Sequence, residues 1–224
     1  MHHRKSKNIF FYFFLFLIIG TFNNKNLNNL NFPKINKIYI SGLDRKNNYD
    51  LQEKLSFLMV NNLFSLNKFE VKEIINTNNL VENFSVIKKY PSSLKIEIKK
   101  TKFLAYVKKN DNTFFFGSNG KLINTKEMSQ KLPIIFGKFE NKDFFELKKI
   151  IDEVDFNYKE IKNLFFFKSG RWDIETFTGI TIKLPNSNVS QSLKLGIQIL
   201  KDDQFKNIKQ IDLRQKKQII INEQ

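Results

Sequence analysis

Few side chains of this sequence could hold a metal or act as a nucleophile. The chain of 224 residues has no cysteine, and its two histidines are His2 and His3 at the N-terminus. A metal site would therefore depend on carboxylates alone, and a catalytic serine would need a base other than histidine. None of the eight glycines forms a G-x-G-x-x-G loop that could cradle a phosphate. The sequence predicts no enzyme activity, no cofactor, no metal and no small-molecule substrate.

Asp152, Glu153 and Asp155 are the one acidic cluster that could supply a general acid and base. They lie at the end of a predicted helix, next to Lys148 and Lys149. Carboxylates with lysine neighbours on a helix surface are typical of solvated charge, which we favour over an acid/base pair.

Two aromatic sites have alternative interpretations. Trp172 could be a platform for stacking a ligand, but its alternation with Ile174 favours a core or cross-strand aromatic. The triplet Phe165-Phe166-Phe167 cannot face inward at every position of one strand. It is therefore part of a strand covered on both faces or part of an exposed patch.

The candidate binding surface is the segment QKKQIII near the C-terminus, whose residues are Gln215, Lys216, Lys217, Gln218, Ile219, Ile220 and Ile221. A last strand at a sheet edge exposes unpaired backbone N–H and C=O groups, which an extended segment of another protein can pair with. The two lysines would discourage self-pairing or bind acidic groups of the partner. The alternative is a strand buried in the middle of the sheet, with the isoleucines packed on both faces.

The chain is strongly basic, with 38 Lys and Arg against 22 Asp and Glu and a net charge of +16. The lysine doublets are scattered, and none forms a block long enough for a nucleic-acid-binding arm. We therefore favour a generally solvated basic surface over a nucleic-acid site.

A basic leader, residues 1–8, precedes an apolar run. We predict a signal anchor over residues 9–22 with these membrane-facing residues: Ile9, Phe10, Phe11, Phe13, Phe14, Leu15, Phe16, Leu17, Ile18 and Ile19. The run is short for a spanning helix and would also suit a cleaved signal peptide, but no pair of small residues follows it to mark a cleavage site. In either case the positive leader is expected to stay in the cytoplasm and the remainder to cross the membrane.

Residues 23–34 are polar and asparagine-rich, which is typical of a tether. Residues 35–100 then predict the order strand, helix, helix, strand, strand. The helical stripe is Leu51, Leu55, Leu58 and Met59, and a second helix begins with an Asn67 capping box and faces inward with Val71, Ile74 and Ile75. The two final strands form a hairpin that turns at Pro91.

Residues 101–224 predict a mainly antiparallel sheet with flanking helices. The predicted strands are 103–109, 113–116, 161–167, 171–176, 180–184, 210–214 and 218–222. Two helices follow from the apolar spacing of residues 144–154 and 189–200. The whole chain is predicted to belong to the α+β class.

Several motifs in this order resemble the FtsQ/DivIB family of bacterial cell division proteins. The pattern Ile38-x-Ile40-x-Gly42, with Val86-x-Lys88-x-x-Pro91, resembles the family's POTRA domain. Further similarities are a turn at 116–122, Leu132-Pro133 followed by Gly137, the hairpin of Trp172 and Gly179, and Asp212-Leu213-Arg214. Gly117 stands where the family often has Asp, and Gln215 replaces a common aromatic residue.

The resemblance implies a non-enzymatic, single-pass scaffold of the division septum, with its bulk in the periplasm. It also implies that the strand from Gln215 to Ile221 receives the FtsB subunit of an FtsB–FtsL pair. A second interpretation is a chaperone-like component of outer-membrane protein transport that uses its POTRA domain to hold clients.

Overall fold

The computed structural model describes residues 4–22, 31–110, 112–125, 130–202, 204, 208–215 and 218–223. The chain divides into two compact units. The first comprises residues 1–74 and 85–97, and the second comprises residues 75–84 and 98–224.

Helix α1 spans Arg4–Phe22, and its apolar side chains from Ile9 to Ile19 are exposed. Among the residues described, no helix combines the length and the apolarity that crossing a bilayer requires. The anchor over residues 9–22 therefore stays a prediction.

A three-stranded sheet follows with the order β1-β3-β2, and β1 runs parallel to β3. Its strands are β1 (Lys37–Ser41), β2 (Val81–Lys89) and β3 (Ser93–Lys100), and the helices between β1 and β2 are α2 (Arg45–Lys54) and α3 (Lys68–Asn76). In β3, Leu94, Ile96 and Ile98 are buried, as their alternation with charged residues predicts.

The predicted helical stripe is correct except at Met59. Leu51, Leu55 and Leu58 are buried, whereas 37% of Met59 is exposed. The chain tightens from α2 into a 3₁₀ turn over Ser56–Val60. Because a 3₁₀ turn repeats every three residues, Leu58 follows Leu55 on the inner face and Met59 moves off it.

Helix α3 begins after Asn67, as the capping signal predicts. The Asn67 Oδ1 atom accepts the Phe69 N–H at 3.0 Å, and the Glu70 carboxylate accepts a hydrogen bond from the Asn67 side-chain amide at 3.0 Å. Val71 and Ile75 are buried and Ile74 is half-buried.

A nine-stranded sheet forms the rest of the fold, with the order β12-β11-β10-β9-β8-β7-β4-β5-β6. Its strands are β4 (Phe103–Lys109), β5 (Asn112–Gly117), β6 (Leu122–Thr125), β7 (Ile134–Phe136), β8 (Ile161–Phe166), β9 (Trp172–Thr176), β10 (Thr181–Lys183), β11 (Ile208–Asp212) and β12 (Ile220–Glu223). The helices of this part are α4 (Asn141–Glu153) and α5 (Val189–Lys201).

Strands β8, β9 and β10 form the predicted antiparallel meander. The short strands β6 and β7 were not predicted. Strand β7 lies between β4 and β8 and is parallel to both, and β10 is parallel to β11. The sheet is therefore mixed, with antiparallel pairs in the majority, and the α+β class is confirmed.

The two faces of the sheet differ in chemistry. Residues that pair across neighbouring strands share a face, and one such row is Leu164, Ile174, Ile182, Ile211 and Ile221. The first four are fully buried, in one core with Phe144 and Leu147 of α4 and Leu193 of α5.

Candidate partner-binding edge

Strand β12 lies at one end of the nine-stranded sheet and, among the strands that the structure describes, pairs with β11 alone. The pairing is antiparallel, with Ile221 opposite Ile211 and Ile220 opposite Asp212. In such a pair successive residues turn their N–H and C=O groups alternately towards the neighbour and away from it. The strand is thus an edge strand, and the mid-sheet alternative is wrong.

The strand is shorter than the predicted segment from Gln215 to Ile221. It begins at Ile220, while Gln218 and Ile219 precede it in irregular conformation and Gln215 lies in a bend. Lys216 and Lys217 fall outside the described residues. The difference arises because β12 runs antiparallel to β11, so that several residues after Asp212 must reverse the chain.

The isoleucines of the segment point in different directions. Ile219 and Ile220 are 41% and 43% exposed, while Ile221 packs against the core. Ile220 belongs to the polar face, since its partner Asp212 alternates with the buried Ile211. Apolar side chains are therefore available to a partner beside the open edge.

A row of charges crosses the polar face next to this edge. Lys183 on β10 stands opposite Asp173 on β9 and opposite Asp212 on β11. Arg171 lies 3.6 Å from Asp173 through its Nε atom and the carboxylate Oδ1 atom. Arg214 donates from Nε to both carboxylate oxygens of Asp212, at 2.8 and 3.0 Å.

The two aspartates of this row have opposite pKa shifts. The hydrogen bonds from Arg214 lower the pKa of Asp212 below its ordinary value, despite an opposing effect of burial. Burial raises the pKa of Asp173, and this effect outweighs Arg171, Lys183 and Arg214. Asp212 therefore stabilises the folded chain as an anion, whereas ionising Asp173 has a cost.

Asp212 also shapes the end of β11. Its Oδ1 atom accepts the backbone N–H of Arg214 at 3.1 Å, and the N–H of Leu213 donates to the Lys183 carbonyl at 2.9 Å. The segment Asp212-Leu213-Arg214 thus closes the pairing with β10 and turns the chain towards β12.

A groove of about 640 Å³ lies beside the start of β12. It is lined by the N-terminal part of α5, including Gln191 and Leu195, and by Arg214, Gln218 and Ile219. Leu195 and Ile219 are among the exposed apolar residues of the chain. The groove therefore offers both apolar and polar contacts to a side chain that arrives at the edge.

Helix α5 lies close to the strands beneath it because residue 196 is glycine. A Cβ atom at Gly196 would meet the Leu213 Cδ1 atom at 3.2 Å and the Ile182 Cγ2 atom at 3.6 Å. This close packing holds α5, which forms one wall of the groove, against Leu213, which also lines the groove.

The other predicted candidates do not join this edge. Lys148 pairs with Asp152 at 2.6 Å and Lys149 with Glu153 at 3.6 Å on the surface of α4, so the acidic cluster is ordinary surface charge. Within the described residues, no group of three acidic or histidine side chains could hold a metal ion.

Trp172 is a core residue, 5% exposed, with its ring 4.7 Å from that of Phe166. The phenylalanine triplet divides between environments. Phe166 packs on the core, Phe165 stacks on Phe136 at 5.1 Å, and Phe167 lies under the Arg171 guanidinium at 4.0 Å.

The charge row and the groove were missed by sequence reasoning. Asp212 is far from Asp173 and Lys183 in the chain, and only the strand register places it opposite Lys183. Two signals were available, Arg171-Trp172-Asp173 and Asp212-Leu213-Arg214. In each, an acid and a base are two residues apart, the spacing that places side chains on one face of a strand.

Comparison with known proteins identifies two regions. The family model of the cell division protein FtsQ/DivIB, C-terminal, matches residues 105–214, and that of the POTRA domain, FtsQ-type, matches residues 34–100. Together they cover well over half of the chain.

Similar relatives carry cell division names. DivIB of Clostridium botulinum strain Hall is 27% identical over 172 residues, which are 66% of this chain and 65% of that protein. The match thus spans slightly less than two-thirds of that relative. FtsQ of Rickettsia bellii is 25% identical over 195 residues, 84% of this chain and 72% of that protein.

A solved structure, the major extracytoplasmic domain of the trans isomer of DivIB from Geobacillus stearothermophilus, is similar with a TM-score of 0.32 and 15% identity. This match covers 42% of this chain and 85% of that chain.

Proposed function

Because the chain belongs to the FtsQ/DivIB family of bacterial cell division proteins, we propose that it is a non-enzymatic scaffold of the division machinery. Its β12 edge binds an extended segment of an FtsB/FtsL-like subunit by strand addition. The observation that carries the proposal is that, within the described residues, β12 pairs with β11 alone and no strand lies on its other side.

Strand addition would use the backbone for affinity and side chains for selection. The N–H and C=O groups of β12 that point away from β11 pair with the incoming strand. Ile219 and Ile220, both exposed, add apolar contact, and the groove beside α5 receives a side chain of the partner. Lys216 and Lys217 would discourage self-pairing or bind acidic groups of the partner.

The proposal places the scaffold in the inner membrane as a single-pass protein. Residues 9–22 act as the uncleaved anchor, the basic leader stays in the cytoplasm, and the chain from residue 23 onwards lies in the periplasm. Binding to the partner then concentrates the protein at the division septum.

The test is capture of a purified FtsB–FtsL-type complex by variants at Ile220. Ile220→Pro removes a backbone donor, and Ile220→Lys puts a charge on the edge, so both should abolish capture. The fold should stay intact in both variants, and the melting temperature of Ile220→Lys should change little because that side chain is 43% exposed. The matched control is Ile87→Lys, an isoleucine 41% exposed on β2, which is the outer strand of the other sheet.

Loss of capture at Ile220 with full capture by the control supports strand addition. Capture that is unchanged by Ile220→Pro, with the melting temperature also unchanged, would remove β12 as the binding edge.

A further inference from the structure

Three exposed aromatic rings in the first compact unit form one cluster, which we call the aromatic triad. The ring centroids of Phe32 and Phe64 are 4.3 Å apart, and those of Phe64 and Tyr90 are 5.3 Å apart. The residues are 44%, 57% and 60% exposed. They come from three separate segments of the chain, so the fold itself assembles this apolar surface. A preformed, solvent-exposed cluster of this kind marks an interaction site.

The surroundings of the aromatic triad are basic. The three segments that carry the rings, residues 31–43, 55–66 and 84–96, contain no Asp or Glu and have five lysines: Lys34, Lys37, Lys88, Lys89 and Lys95. Lys95 is paired with Glu97. Lys88 donates to the carbonyl of Leu63, which places its ammonium group beside the residue before Phe64.

Lys34 lies beside the same loop, because its backbone forms a β-bridge with Asn62. Apolar rings bordered by lysines fit a partner that combines an apolar layer with negative charge. A bilayer surface that contains anionic phospholipid has both properties.

The chain also limits how far the triad can lie from α1. Phe32 comes ten residues after Phe22, the last residue of the helix. Ten residues span at most about 35 Å, whatever their conformation. A chain anchored through residues 9–22 therefore holds the triad within that distance of the membrane, and even a weak contact becomes effective when it is intramolecular.

We propose that the aromatic triad and its lysines are a second membrane contact that binds anionic phospholipid headgroups. The inference rests on the proposed insertion of residues 9–22. The rings enter the headgroup layer, where aromatic side chains are favoured, and Lys34 and Lys88 lie against the negative surface. The contact holds the first compact unit against the membrane.

The experiment uses the full chain in vesicles of phosphatidylglycerol and phosphatidylcholine. The protein has no cysteine, so Ser65→Cys, at an exposed position next to Phe64, takes a single fluorophore. Lipids with a nitroxide headgroup should quench this fluorophore strongly. The variant Lys34→Gln, which neutralises one lysine, should weaken the contact about fivefold, and pure phosphatidylcholine should weaken it further.

The variant Phe64→Ser with Tyr90→Ser removes two rings of the triad and should abolish the quenching. Its matched control is Phe69→Ser with Tyr49→Ser, which removes one exposed Phe from α3 and one exposed Tyr from α2. The control should keep the quenching, and circular dichroism should show both variants folded.

Flotation of the vesicles tests the insertion of residues 9–22 separately from the lipid contact of the aromatic triad. A chain that floats with the vesicles while the fluorophore stays unquenched overturns the lipid contact and leaves the proposed function intact. A chain that does not float contradicts the insertion of residues 9–22. It also contradicts the lipid contact of the triad, which depends on that insertion. A fluorophore shielded only when an FtsB–FtsL-type partner is added would make the triad a protein-binding surface, which also overturns the inference.

Discussion

Two aspartates on one face of the sheet should respond to acid in opposite ways. The folded state lowers the pKa of Asp212 through Arg214, so Asp212 contributes stability above its ordinary pKa and loses it as the pH falls through the lowered value. The folded state raises the pKa of Asp173, mainly by burial, so its ionisation costs stability as the pH rises above the ordinary value.

Asp212→Asn should therefore lower the free energy of unfolding at neutral pH and flatten its decline in acid. The charge-assisted hydrogen bonds with Arg214 contribute about 1–2 kcal/mol, towards the lower end because the guanidinium is partly exposed. Urea unfolding at neutral pH and near pH 3 measures both effects. Asp50→Asn, an exposed carboxylate on α2, is the control. Parallel pH profiles for wild type and Asp212→Asn would refute the role of this pair.

For individual residues, the sequence predicted correctly which side chains are buried, but it did not predict which charged side chains lie opposite one another. Alternation placed Leu94, Ile96, Ile98 and Trp172 inside because burial follows from a strand's own period. The position of Lys183 between two aspartates depends on the register of three strands, which local sequence does not contain.

Among the helices and strands, α5 has the packing that is most sensitive to substitution. Gly196→Val should destabilise the protein by about 1–3 kcal/mol, because the added atoms would meet Leu213 and Ile182 in a filled core. Chemical denaturation measures the loss. The control is Lys194→Val at an exposed position of the same helix. It introduces the same β-branched residue into the helix, with the same cost in helix propensity. If the two variants lose equal stability, close packing at Gly196 is not required.

Helices and strands were predictable from the sequence where their apolar residues repeat over enough positions to establish a period. Helices α3, α4 and α5 and the meander of β8 to β10 follow from their apolar spacing. Strands β6 and β7 have four and three residues, too few to establish a period, and β7 is held by neighbours on both sides. Met59 was misplaced because the helical period changes to that of a 3₁₀ turn.

For the whole molecule, the decisive question is whether residues 1–22 remain attached. We expect N-terminal sequencing of the protein from the membrane fraction to begin within residues 1–8, because no pair of small residues follows the apolar run. A sequence that begins after Phe22 would show cleavage. Replacing Leu15 with Arg is the companion variant and should shift the protein out of the membrane fraction, since a charge within the run opposes insertion.

The overall architecture was only partly contained in the sequence pattern. The order of elements gave the α+β class, and the position of the last strand at an edge was correct. The parallel pairings of β4 with β7, β7 with β8 and β10 with β11 join segments separated by helices or loops. Such crossovers are decided by packing between layers, which a single sequence leaves open.

The parallel pairing of β10 with β11 makes the edge strand β12 depend on an earlier crossover of the chain. Between these strands the chain must leave the sheet, form α5 and return. Residues 208–223 can therefore complete the sheet only where β10 is already in place, since β11 pairs with β10 and β12 pairs with β11. A chain that stops before residue 208 would end the described sheet at β10, and it would lack the edge to which the proposed partner binds.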